Sequence, residues 1–182
     1  MRADARRNYE RLLAVADEVF RRDGTEASLE EVARRAEVGI GTLYRHFPTR
    51  DALLEALLRE QFAELRAAAE RLAQVPPRQA LDEFLLLFTA RISLYRGLPA
   101  SLVAMLRAPD TALHEACHAM NQAGERLVEQ LQRAGVVRDD VPAKDVLALT
   151  ASVAWLGEQT GDEQQRERLL RVVTDGFNAR NR

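Results

Sequence analysis

The sequence predicts an all-α fold, on three observations. Apolar residues recur at three- and four-residue spacing through nearly every segment, no run alternates with the period of two that a half-buried strand requires, and glycine and proline punctuate the chain at helix-length intervals. The chain has 182 residues, 47% of them hydrophobic, which is enough to bury a core without covalent staples. The single Cys117 cannot form an internal disulfide.

The first helix is expected over about Ala3 to Arg22, where Leu12, Val15, Ala16, Val19 and Phe20 share a stripe and Gly24 follows as the stop. Ser28 opens the second. In Ser28-Leu29-Glu30-Glu31 the spacing predicts a capping box, the hydroxyl and the Glu31 carboxylate each satisfying an orphan N–H, with Leu29, Val32, Ala33 and Ala36 on the buried side. The third helix is short, about Gly39 to His46, and is closed by Pro48, because proline disfavours helical geometry in the residue before it. Thr49 caps a long fourth helix, about Arg50 to Gln74, with Leu53, Leu54, Leu57, Leu58, Phe62 and Leu65 in register and Val75-Pro76-Pro77 at its end. Further helices are expected at about 78–95, 99–107, 110–134, 142–160 and 162–180, broken by Gly97-Leu98-Pro99, Pro109, Gly135, Pro142 and Gly161. These are about nine helices in two parts, residues 1–48 and residues 49–182, with the helix at 49–74 linking them.

The net charge of −2 argues against a chain that is basic all over, but its distribution is uneven. Residues 1–50 carry ten Arg against nine carboxylates, whereas 51–182 carry sixteen basic and nineteen acidic residues. Four Arg and one Glu lie between Arg34 and Arg50. A local basic patch on a mildly acidic body suits a protein that touches nucleic acid with one small surface. No apolar run approaches the ~18 residues of a membrane span, and Met1–Asp23 is interrupted by charges unlike a secretory leader. The expected location is therefore the cytoplasm, with no membrane partner.

The informative segment is Ser28 to Leu54, SLEEVARRAEVGIGTLYRHFPTRDALL. Two short helices about three residues apart, packed on a preceding amphipathic helix, make a helix-turn-helix whose second helix fits the DNA major groove. Leu43 and Phe47, four apart, face inward with help from Val38. Ile40, Gly41, Thr42, Tyr44, Arg45 and His46 are left outside or at the helix ends. Gly39 and Gly41 permit close approach, Thr42 and Tyr44 can donate to phosphate oxygens, and Arg45 can read a guanine edge or hold a phosphate.

Through GTLYRHFPTRDALLEAL at 41–57, EEVARRAEV at 30–38 and the upstream helix ending in Phe20 and Gly24, the chain resembles the tetracycline-repressor (TetR) family of regulators over residues 8–60. Residue by residue, the resemblance implies that Ser28, Thr42, Tyr44 and Arg50 contact the DNA backbone. Ile40, Gly41, Arg45 and His46 then lie nearest the bases, and Gly39 starts the recognition helix. The chain departs from the family at three places: Glu37 where the turn often has Gly, Gly39 where Ser or Thr is common, and Pro48 at an often basic or polar position.

About 50 residues of helix-turn-helix read too few base pairs alone, so a homodimer reading two half-sites of operator DNA is the physical expectation. The resemblance places its interface on the last two long helices. Val146, Leu149, Val153, Leu156 and Gly157 form one stripe there, and Leu169, Leu170, Val173 and Phe177 another. A pocket for a small, mainly apolar effector is expected among Phe84, Leu87, Phe88, Ile92, Met105, Met120 and Trp155, with His114, Cys117, His118, Asn121 and Gln122 as polar groups. His114, Cys117 and His118 share a helix face, but no fourth ligand cluster accompanies them and no metal or other cofactor is expected.

An enzyme is disfavoured, since the chain offers no Gly-rich phosphate loop, nucleophile elbow or Cys/His metal framework. The remaining rival is a helical adaptor that binds proteins, which has no use for an exposed Tyr44-Arg45-His46 and no salt-dependent DNA affinity.

Overall fold

The computed structural model describes residues 2–92 and 100–178. Among them it holds α1 (Arg2–Asp23), α2 (Leu29–Arg35), α3 (Ile40–His46), α4 (Arg50–Leu72), α5 (Pro77–Ile92), α6 (Ala100–Arg107), α7 (Ala112–Arg133), α8 (Ala143–Thr160) and α9 (Glu163–Phe177). The bounds fall within about two residues of those expected. The positions expected at 93–95, 99, 179 and 180 lie outside the described residues. Among the described residues the one extended pairing is an isolated bridge between Val137 and Asn178.

The helices gather into two compact units. The first takes α1 to α3, α4 as far as Glu60, α6, and α7 as far as Glu115; the second takes the remainder. In the first unit the stripe of α1 is spent as expected, with Leu12, Ala16, Val19 and Phe20 fully buried. Val32 and Ala33 of α2, Leu43 of α3, and Leu53 and Leu54 of α4 are buried in the same unit, all between 0% and 2% exposed. Gly24 closes α1 at φ +83°, and its N–H returns to the Phe20 carbonyl at 3.0 Å. Few residues other than glycine adopt that left-handed geometry cheaply.

In the second unit Leu81, Phe84, Leu85 and Phe88 of α5, Leu127, Val128 and Leu131 of α7, and Val146 and Ala154 of α8 are all buried. α8 lies between α5 and α9. At Gly124 a Cβ would stand only 3.1 Å from Phe84 and from Leu147, so the small residue sets the depth of that packing. The end of α9 is tied down as well. The Arg138 N–H donates to the Phe177 carbonyl at 2.9 Å, and the Arg78 guanidinium donates to Asn178 Oδ1 at 2.7 Å.

Candidate nucleic-acid interface

Ser28 is the N-cap of α2, its Oγ accepting from the Glu31 N–H at 3.2 Å. The return half of the expected capping box is not formed. The Glu31 carboxylate instead takes two donors of Arg34, each at 2.8 Å, while the Ser28 hydroxyl donates to Glu30 Oε2 at 2.8 Å. An arginine fork one helical turn along is a better partner for a carboxylate than a lone backbone N–H. These bonds hold both carboxyls below the ordinary range: Glu30 by the Ser28 hydrogen bond, Glu31 by Arg34.

The turn from α2 to α3 runs through Glu37, which stands at φ +53°, a left-handed conformation that explains why glycine is common there. Its carboxylate does not face outward unpartnered, since Arg11 of α1 bonds it. The turn is closed by the Val38 N–H donating to the Ala33 carbonyl at 3.0 Å. Gly39 then caps α3 in extended geometry with no side-chain cap bond. The N–H groups of Thr42 and Leu43 both return to its carbonyl.

On α3, Leu43 is fully buried and Phe47 nearly so, as their spacing requires. Ile40 at 38% and Tyr44 at 45% are among the large apolar side chains left exposed, with Gly41 and Arg45 exposed beside them and Thr42 half-buried. A Cβ added at Gly39 or Gly41 would meet nothing within 4 Å. The chain's own packing therefore imposes no small residue at either position, and the room lies on the outer side. Of the four arginines from 34 to 50, Arg34 is paired with Glu31, Arg35 lies 3.8 Å from Glu18, and Arg50 is engaged with backbone. Arg45 has no ion pair among the described residues. The basic charge of this surface thus concentrates on α3.

Two expected contacts carry internal duties as well. Arg50 donates from Nη1 to the carbonyls of Thr25 at 2.8 Å and Ala27 at 2.5 Å, fastening the loop that leads into α2. His46 is half-buried against Tyr9 of α1, ring centroids 6.0 Å apart, and Tyr9 in turn lies 5.1 Å from Phe47. Tyr9 and Arg11 were not anticipated as part of this surface. Tyr9 was legible, because it extends the stripe of Leu12, Leu13 and Ala16 by the same i, i+3, i+4, i+7 spacing.

The residues expected to line an effector pocket divide differently. Phe84 and Phe88 are 1% and 2% exposed with ring centroids 5.7 Å apart, so they fill the core of the second unit. Ile92 and Asn121 are half-buried, and so is Cys117, whose thiol is pushed up by burial and receives the Asn121 amide at 3.5 Å. His118 is exposed. Met105, on α6 in the first unit, is half-buried, and its carbonyl accepts the Thr111 hydroxyl at 2.6 Å. Trp155 stands 60% exposed on the outer side of α8. His114 has a structural partner, its ring Nδ1 lying 2.8 Å from the Leu106 carbonyl. Among the described residues no three His, Cys, Asp or Glu side chains are grouped to hold a metal ion.

The residues expected on the dimer stripes divide as well. Val146, Val153 and Phe177 are buried in the chain's own core, because α8 packs on both α5 and α9. Leu156, Leu169, Leu170 and Val173 are half-buried, and Leu149 at 47%, Trp155 and Val172 at 68% are the apolar side chains that stand outward.

Comparison with known proteins agrees with this geometry. Residues 12–57 match the profile of bacterial regulatory proteins of the tetR family, and residues 76–179 match the SbtR-like transcriptional regulator C-terminal domain. A crystal structure of a TetR transcriptional regulator from Streptomyces coelicolor is 34% identical, with a TM-score of 0.75 over 94% of this chain and 98% of that one. A TetR regulatory protein from Mycobacterium vanbaalenii is also 34% identical, with a TM-score of 0.65 over 97% and 98% of the two chains. The HTH-type transcriptional repressor KstR of Rhodococcus jostii is 29% identical over 160 residues, 82% of this chain and 73% of that protein. The chain is not an enzyme, and among the described residues no helix is long and apolar enough to cross a membrane. With a DNA-reading segment and a body segment both matched in order along one chain, the protein belongs to the TetR family of bacterial transcriptional regulators.

Proposed function

We propose that the chain is a repressor that binds a palindromic operator as a homodimer through residues 1–48 and is released by a small effector taken up in residues 49–182. The observation that carries the DNA-binding half is the outer face of α3. Ile40, Gly41, Tyr44 and Arg45 stand exposed on it, the two glycines answer to no internal packing, and Arg45 is without an ion pair among the described residues. In this reading α3 enters the major groove, with Ile40, Gly41, Arg45 and His46 nearest the bases and Gly39 letting the backbone approach. Ser28, Thr42, Tyr44 and Arg50 hold phosphates. Arg50 does so with the guanidinium donors that its two carbonyl bonds leave over, and Ser28 only by giving up the hydroxyl bond to Glu30, so their contribution is the smaller.

Dimerisation supplies the second half-site, about 34–36 Å from the first along the duplex. The outward residues Leu149, Trp155 and Val172 of α8 and α9 are the natural seam, with Leu156 and Leu169 at its edge. Relief by an effector is a coupling free energy: the ligand must bind the DNA-incompetent state more tightly than the competent one. The name of the Rhodococcus relative supports the repressor reading.

The test is fluorescence anisotropy with the DNA upstream of the chain's own gene across a salt series. Arg45→Ala and Tyr44→Ala are each expected to reduce affinity by about tenfold, and only the loss of the cationic Arg45 lowers the salt slope, by about one where the guanidinium holds a phosphate. Binding to that region no tighter than to random DNA, in native and variant chains alike, sinks the reading in favour of a protein-binding adaptor.

A further inference from the structure

In the second unit the space between α4 and α5 is not filled. Glu64, Leu65, Ala67, Ala68 and Arg71 of α4 and Leu87 and Arg91 of α5 line a groove of about 360 Å³. That is within the range of small-molecule sites, roughly 300–1,000 Å³. Its origin is readable in the side chains. Positions 64, 67, 68 and 71 follow one another at i, i+3, i+4 and i+7 on α4, and alanine at the two middle places leaves a hollow between larger neighbours. Leu65 and Ala68 are buried beneath it, and Leu87 forms the opposite wall.

The polar groups stand at the two ends. Arg91 is paired with Glu64 at 3.0 Å. Arg71, seven residues and about 10 Å along α4 from Glu64, has no carboxylate partner among the described residues. The rim therefore carries two cations and one anion, a net charge of +1, and the unsatisfied charge is at Arg71. A guanidinium presents two parallel donors that match a carboxylate, and an apolar trough leading away from it takes a hydrocarbon body.

We propose that this groove binds a carboxylic acid with an apolar tail, the carboxylate on Arg71 and the tail lying over Ala67, Ala68 and Leu87 toward the Arg91–Glu64 pair. A monoanion balances the rim, whereas a dianion meets Glu64 and a cation meets Arg71. The inference gives the effector reading a ligand class, and it rests on that reading only for the consequence on DNA.

Isothermal calorimetry on the full chain without DNA, using octanoate below its micellar concentration, tests the groove by itself. Saturable binding is expected. It should weaken about tenfold or more in Arg71→Met, which keeps the stem and removes the charge, and should be lost in Ala67→Leu, which fills the hollow. Octanol, with the same tail and no charge, should bind the native chain no better than octanoate binds Arg71→Met. Circular dichroism melts confirm that both variants fold. Absence of saturable heat, equal affinity for the alcohol, or undiminished binding in folded Arg71→Met each overturns the proposal. A chain that binds its operator and ignores octanoate refutes the groove alone; one that binds octanoate and no operator refutes the effector reading and leaves the groove standing.

Discussion

Glu37 shows how a single backbone angle can be read through chemistry. At φ +53° a side chain with a Cβ costs on the order of 1 kcal/mol relative to glycine. The Arg11 ion pair offsets only part of that, because both partners are largely exposed. Glu37→Gly and Glu37→Ala both lose the pair and differ in the angle. Urea unfolding should therefore find the glycine variant more stable by about 1 kcal/mol; equal midpoints would show that the turn tolerates any residue. Arg50 is the opposite case, a surface charge with a buried task. Losing its bonds to the Thr25 and Ala27 carbonyls in Arg50→Ala should cost about 2 kcal/mol in the same assay, and Arg50→Lys should recover only part of it. Glu37 was legible as a departure at a turn position, and its Arg11 partner was not, because the two are 26 residues apart and nothing local couples them. The reach of Arg50 back to the loop was hidden for the same reason.

Helices α1 to α4 were legible almost to the residue, since each is bounded by a local signal: Gly24, Ser28, Pro48 and Thr49. What local signals misjudged was the choice among competing partners. Glu31 had two suitors, the cap N–H and Arg34, and the arginine won. A pH dependence follows. Asp23, Glu30 and Glu31 are each held below the ordinary carboxylate range, by Arg22, Ser28 and Arg34 respectively. A group depressed in the folded state contributes stability that is complete above its unfolded value and lost as pH falls through the folded one. The start of α2 should therefore loosen as pH drops below about 4, and hydrogen exchange at the Leu29 to Arg34 amides should follow. Glu30→Gln with Glu31→Gln should flatten that acid limb. On the body helices periodicity found the elements and misassigned faces. Val146, Val153 and Phe177 share stripes with Leu149 and Leu169, and only the packing of α8 on both α5 and α9 decides which members turn inward.

At the scale of the molecule, the two halves of the proposed function make different demands. DNA reading needs one face of a seven-residue helix held at a fixed angle, and the first unit supplies it with a core in which Leu12, Val19, Phe20, Leu43, Leu53 and Leu54 are fully buried. Assembly needs an outer face with little charge, and α8 between Ala148 and Leu156 offers Ala148, Leu149, Ser152, Trp155 and Leu156 in its outward arc. Leu149→Glu together with Trp155→Glu should shift sedimentation to the monomer and abolish tight operator binding, while Arg45→Ala should leave sedimentation unchanged. A dimer that survives the double change places the seam elsewhere. Trp155, the chain's one tryptophan, has a further use. An indole that stands in water in the single chain and is covered on assembly is a built-in optical reporter. On the proposed seam its emission should move to shorter wavelength as subunits join, so the association constant can be read from an unlabelled dilution series excited at the red edge, where the three tyrosines do not absorb.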